Sequence, residues 1–260
     1  VRWRRGKEQA VRVFTETLEP NGATLTGYVQ DPSPELRNAG IRPAALILPG
    51  GGYEFCSDRE AEPVAFAYLA EGYNAFVLRY TAGKDHPFAK AFQDAQAALA
   101  YVRGHAGDLN VDPHKVVAVG FSAGGHLAAS LGTLAPDKPD VLVLGYPVMI
   151  GEHVAHLDPL IPGVDEAVTE QTPPTFLFAT SNDGVVPAEN SLVFALALAR
   201  HGIAFETHVY VSGEHGLSLA KPLTANGKTG LVEPAVADWF PDSVRFLRRF
   251  VGDFPLDDPA

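Results

Sequence analysis

The stretch VVAVGFSAGGHLAAS, Val116 to Ser130, changes character at its centre. Its first half is a β-branched apolar run and its second half a run of small helix formers, so it predicts a buried strand followed directly by a helix. Ser122 stands at the change, between Gly120 and Gly124. A G-x-S-x-G turn from strand to helix forces the serine into a strained backbone geometry, and its flanking residues must lack bulk because the helix packs close to the strand. The turn exposes Oγ. It also aims the amide of Ala123 and the helix N-terminus at the same point, where a developing oxyanion is stabilised.

Around this turn, short apolar runs alternate with longer segments of helical periodicity, the pattern of β-α units in a mostly parallel sheet. The runs are AALIL (44–48), NAFVLRY (74–80), KVVAVG (115–120), VLVLGY (141–146), TFLFAT (175–180) and FETHVYV (205–211). Helices are expected at about 60–71, 88–105, 123–134, 188–201 and 242–251, where apolar residues recur at three- and four-residue spacing. Ahead of them, VRVFTETL (11–18) and TLTGYV (24–29) flank Glu19-Pro20-Asn21-Gly22, whose chemistry suits a reversing turn, so the chain opens with an antiparallel hairpin. A Pro-punctuated linker, 31–43, follows. No repeat or shift in composition marks a boundary, and residues 1–260 read as a single α/β domain with helices on both faces of the sheet.

In such sheets ligands sit beyond the carboxyl ends of the strands, where Ser122 falls. A serine hydroxyl is a poor nucleophile at neutral pH and requires a base, an orienting carboxylate and oxyanion donors. The run AALIL ends in Pro49-Gly50-Gly51-Gly52-Tyr53, and successive glycines let backbone amides approach a substrate oxygen. Gly51 is the first choice of donor, with Gly52 beside it. Asp183, in TSNDGVVP, follows the strand TFLFAT. His215, in SGEHGLSL, follows the strand FETHVYV. Asp140, Asp158 and Asp165 compete with Asp183, which alone comes just after a strong strand in the right interval.

The other histidines have duller assignments. His208 lies mid-strand, His105 and His201 at helix ends where a cation favours the dipole, and His114 in a turn. His126 has a packing or pocket-lining role. His153 and His156 fall in 145–172, a stretch without clear periodicity in which a substrate-contacting loop or small cap can form.

Composition narrows the partners. With 20 basic and 31 acidic residues the net charge is −11, which repels phosphate backbones and argues against nucleic acid. The lone Cys56 cannot form an internal disulfide, and VRWRRGKEQA (1–10) is not followed by the continuous apolar stretch of a signal peptide, so a cytoplasmic protein is expected. No apolar run approaches the ~20 residues that span a bilayer, so no membrane partner is expected. Self-association is left open.

The motifs GFSAGGHLAAS, LPGGGY, SNDGVVP and EHGLSL, with PGGGYEFCSDREAEPVA (49–65), FVLRY (76–80) and NVDPHKVVAVGFSAGGHLAA (110–129), resemble the α/β-hydrolase-fold serine esterases of the hormone-sensitive lipase and bacterial acetyl xylan esterase group. The resemblance covers nearly the whole chain. It implies Ser122 as nucleophile, His215 as general base and acid, Asp183 as its orienter, and amides at Gly51, Gly52 and Ala123 as the oxyanion hole, with no metal or organic cofactor. Pro49 stands where hormone-sensitive-lipase relatives carry His, which favours the acetylesterase branch. Asn182 stands where a further Asp is frequent, leaving Asp183 as the only carboxylate there. The implied activity is hydrolysis of short-chain, first of all acetyl, esters of small molecules, with sugars or xylo-oligosaccharides as the alcohol. A peptidase using the same triad and a catalytically idle binding module are the alternatives. Asp58, Arg59, Glu60 and Arg79 read either as a polar rim for a sugar or, preferably, as a structural ion-pair network in which Arg79 meets Asp94.

Overall fold

The computed structural model describes residues 11–85 and 87–256; the basic segment 1–10 lies outside the described residues. The opening hairpin forms as the turn chemistry demands, with β1 (Val11–Leu18) antiparallel to β2 (Ala23–Gln30). Then come β3 (Arg42–Leu48), α1 (Glu62–Ala70), β4 (Asn74–Arg79), α2 (Phe88–Gly104), β5 (Val111–Phe121), α3 (Ser122–Thr133) and β6 (Val141–Gly145). The chain continues through α4 (Gly151–Val154), β7 (Thr175–Thr180), α5 (Glu189–Arg200), β8 (Phe205–Tyr210), α6 (Pro234–Ala237) and α7 (Trp239–Val251). The strands make one eight-stranded sheet in the order β1-β2-β4-β3-β5-β6-β7-β8, antiparallel from β1 to β4 and parallel from β4 onward.

Period-two alternation divides the core. Ala44, Leu46 and Leu48 of β3, with Val116 and Ala118 of β5, pack on one face under α2, α3 and α5. Ala45 and Ile47, with Val117, Val119 and Phe121, pack on the other under α1 and α7. Both faces are therefore covered, which is why the central strands carry unbroken apolar runs.

Several boundaries depart from the sequence pattern. α7 begins at Trp239, earlier than 242, because Pro241 sits in the first turn, where no N–H is needed. α1 starts at Glu62 after a separate 3₁₀ turn, Asp58–Glu60. β5 reaches back to Val111 through a register shift opposite β3 that accommodates Pro113, and His114 N–H caps Asp112 Oδ1 there at 3.0 Å. The short α4 and α6 have too few residues to show a period. No helix among the described residues is long and apolar enough to cross a membrane.

Candidate active site

β5 runs straight into α3, and Ser122, the first residue of that helix, has φ 53°. This left-handed conformation costs a non-glycine residue of order 1–3 kcal/mol and persists because the surroundings over-determine it. Close backbone packing supplies that constraint. A Cβ on Gly124 would lie 2.1 Å from the Leu48 carbonyl oxygen and 2.3 Å from that of Pro49, so α3 rests directly on the chain leaving β3. Gly51, in that chain, has φ 127°, and a Cβ there would lie 2.1 Å from the Phe55 carbonyl oxygen. Only glycine serves at both positions.

The loops after β7 and β8 bring Asp183 and His215 to the same edge. His215 Nδ1 lies 2.7 Å from Asp183 Oδ2, and His215 Nε2 lies 2.9 Å from Ser122 Oγ. Since the carboxylate only accepts, Nδ1–H donates to it, Nε2 becomes the acceptor and the serine hydroxyl donates. The Asp183 side chain is 1% exposed and that of His215 17%. Asp183 Oδ1 accepts the N–H groups of Val185 and Val186 at 2.8 and 2.9 Å, so with His215 on Oδ2 both oxygens of the buried carboxylate are engaged. Asn182 joins the two loops by accepting Gly213 N–H at 2.9 Å.

A buried carboxylate that the motifs do not assign ties the glycine loop to the histidine loop. Glu60, 2% exposed, accepts Gly50 N–H on Oε2 at 2.8 Å and the Tyr146 hydroxyl on Oε1 at 2.7 Å. The same hydroxyl accepts Ser218 N–H at 2.8 Å, and the Tyr146 ring meets the His215 ring at 5.1 Å. Burial pushes the Tyr146 phenol well up, with the Glu60 charge adding to it. Arg59 Nη1 donates to Gly216 O at 2.6 Å. Arg79 is ion-paired, but with Asp58 at 2.8 Å and Glu62 at 2.9 Å rather than with Asp94. The pleat decides this: Ala75 and Val77 face α1, so Arg79 does too, whereas α2 and its Asp94 cover the opposite face. Asp94 instead accepts Thr81 N–H at 2.7 Å and Asn21 Nδ2–H at 2.9 Å.

The serine opens into a cavity of about 600 Å³ bordered by Gly51, Gly52, Ala123 and His215, with Leu157 and Val186 among its apolar walls. His153 and His156 line it as well, so the aperiodic stretch 145–172 does reach the site. His126 is instead a buried strut. Its Nε2–H donates to Pro162 O at 2.8 Å, leaving Nδ1 to accept the Tyr53 hydroxyl at 2.7 Å. Desolvation lowers its pKa to about 4, against the opposing pull of the Pro162 carbonyl. Asp140 lies before β6, at the opposite edge of the sheet, where it accepts Val116 N–H at 2.8 Å.

Comparison with known proteins agrees with the α/β-hydrolase fold. Residues 34–143 match the BD-FAE family model. Endo-1,4-beta-xylanase B of Butyrivibrio fibrisolvens is 32% identical over 255 residues, covering 85% of this chain and 40% of that protein. Acetylxylan esterase of Xylanibacter ruminicola is 28% identical over 233 residues, covering 80% of this chain and 46% of its own length. The chain thus spans less than half of each of these two relatives. The crystal structure of MGS-M1, an alpha/beta hydrolase enzyme from a Medee basin deep-sea metagenome library, superposes with a TM-score of 0.87 at 42% identity, covering 94% of this chain and 99% of that one.

Proposed function

The chain belongs to the α/β-hydrolase family, and on that premise we propose that it hydrolyses short-chain carboxylic esters, acetyl esters of sugar hydroxyls foremost, through an acyl-enzyme. The observation that carries the reading is the unbroken chain from Ser122 Oγ through His215 to the buried Asp183, opening onto the cavity. The acetylxylan esterase relative supports an acetyl ester on a sugar.

Ser122 Oγ attacks the ester carbonyl carbon while its proton passes to His215 Nε2. The carbonyl π electrons move onto oxygen, and the amides of Gly51, Gly52 and Ala123 stabilise that oxyanion. Asp183 keeps the Nδ1 proton directed at itself and stabilises the imidazolium. The tetrahedral intermediate collapses, the alkoxide leaves, and it takes the proton from Nε2. Water then attacks the acyl-serine, giving its proton to Nε2, and the second collapse returns that proton to Ser122 and releases the carboxylic acid.

The test is initial rates on p-nitrophenyl acetate, butyrate and octanoate, and on acetylated xylo-oligosaccharides, for the wild type and Ser122→Ala. Short esters should turn over, and the substitution should remove about 10⁶ of kcat. A variant within tenfold of the wild type would overturn the mechanism.

A further inference from the structure

His153 lines the cavity, and its ring is held in one tautomer by a residue outside it. Asn190, 0% exposed at the start of α5, accepts the backbone N–H groups of Met149 and Ile150 on Oδ1 at 2.9 and 3.1 Å. That orients its amide without ambiguity: turning it over would set the NH₂ against two N–H donors. Its two Nδ2 protons then go to Pro187 O at 3.0 Å and to His153 Nδ1 at 2.9 Å. With Nδ1 accepting, the neutral ring carries its proton on Nε2. The nitrogen that Asn190 does not engage is then a donor, on a ring that borders the cavity.

We propose that His153 is a specificity residue whose Nε2–H donates a hydrogen bond to an oxygen of the alcohol portion of the ester, selecting polyol and sugar esters over those of plain alkanols. The inference rests on the ester-hydrolase reading above. An acetyl group offers no acceptor besides the carbonyl oxygen, which the loop amides take, so a further fixed donor answers to the alcohol. The arrangement is preorganised. Asn190 also holds the backbone just before α4, so the donor is set in place before substrate arrives and little ordering is left for binding to supply.

Two acetyl esters with six-membered rings separate the possibilities: a monoacetylated methyl β-xyloside, rich in acceptor oxygens, and cyclohexyl acetate, which has none beyond the ester. His153→Phe should lower kcat/KM on the xyloside about tenfold, chiefly through KM, and leave cyclohexyl acetate within about twofold. His153→Gln, whose amide reaches about as far as Nε2–H, should recover part of the loss. Two-bond ¹⁵N–¹H spectra of the histidine-labelled wild type should show neutral His153 protonated on Nε2. Equal losses on both esters, or a proton on Nδ1, would overturn the assignment while leaving the esterase reading standing. Hydrolysis of neither ester by the wild type would overturn both.

Discussion

Removing the Glu60 carboxylate should loosen the catalytic edge from both sides at once. The side chain receives Gly50 N–H and the Tyr146 hydroxyl, both from buried groups, and each bond to a charged acceptor is worth about 1.5–3 kcal/mol. Glu60→Ala strands both donors, for a destabilisation of about 3–6 kcal/mol. At this size each kcal/mol moves Tm by about 2–4 °C, so the melting point should fall by roughly 6–24 °C. Glu60→Gln keeps one accepting oxygen but turns an NH₂ on the other donor, so about half that loss is expected. Activity should follow, because Gly50 precedes Gly51 and Tyr146 packs on the His215 ring. A displacement of about 1 Å at such a site costs about 10²-fold, which should appear in kcat more than in KM. Thermal unfolding by differential scanning calorimetry and kinetics on p-nitrophenyl acetate read both effects. A Glu60→Ala protein melting within about 2 °C of the wild type, with kcat within about threefold, would refute the reasoning.

Asp183→Asn keeps an oxygen for Val185 and Val186 N–H but lets an amide face His215 Nδ1, so kcat on short esters should drop by about 10⁴ with little change in unfolding. His126, its pKa lowered from 6.5 to about 4, stays neutral in the fold while the unfolded chain takes up a proton as the pH falls below about 6.5. Its contribution is complete above that pH and is lost on the way down to about 4, at about 1.4 kcal/mol per unit. Urea unfolding at pH 7 and pH 5 should therefore show a wild-type loss about 2 kcal/mol larger than that of His126→Gln. Gly124→Ala drives a methyl into the Leu48 and Pro49 carbonyls and should cost about 3 kcal/mol or more by urea unfolding, with a fall in kcat from the displaced glycine loop.

The residues brought together at the site were legible wherever local backbone chemistry marks them. Ser122, Asp183 and His215 each follow a recognisable strand, and a parallel sheet delivers the ends of such strands to one edge. The aperiodic stretch 145–172 was recognisable as a contributor, but its lack of period hid which residues face the cavity. Glu60 stood out in the sequence only as part of a charged cluster, and the actual partners of neither Glu60 nor Asn190 were readable there. Their roles consist of partners 86 and 41 residues away, Tyr146 and Met149, and no local spacing records such a pairing.

The sequence by itself determined the types of the longer elements, the hairpin, and the strand-turn-helix at Ser122, because these depend on side-chain branching, apolar period and glycine, which act over a few residues. Tertiary structure alone decided the crossed order β4-β3-β5, the partner of Arg79 and the contact between Asn190 and His153. Each is a choice among distant groups compatible with the same local pattern. Packing both faces of the sheet makes that choice, by fixing which side chains share a face and which buried donors find an acceptor.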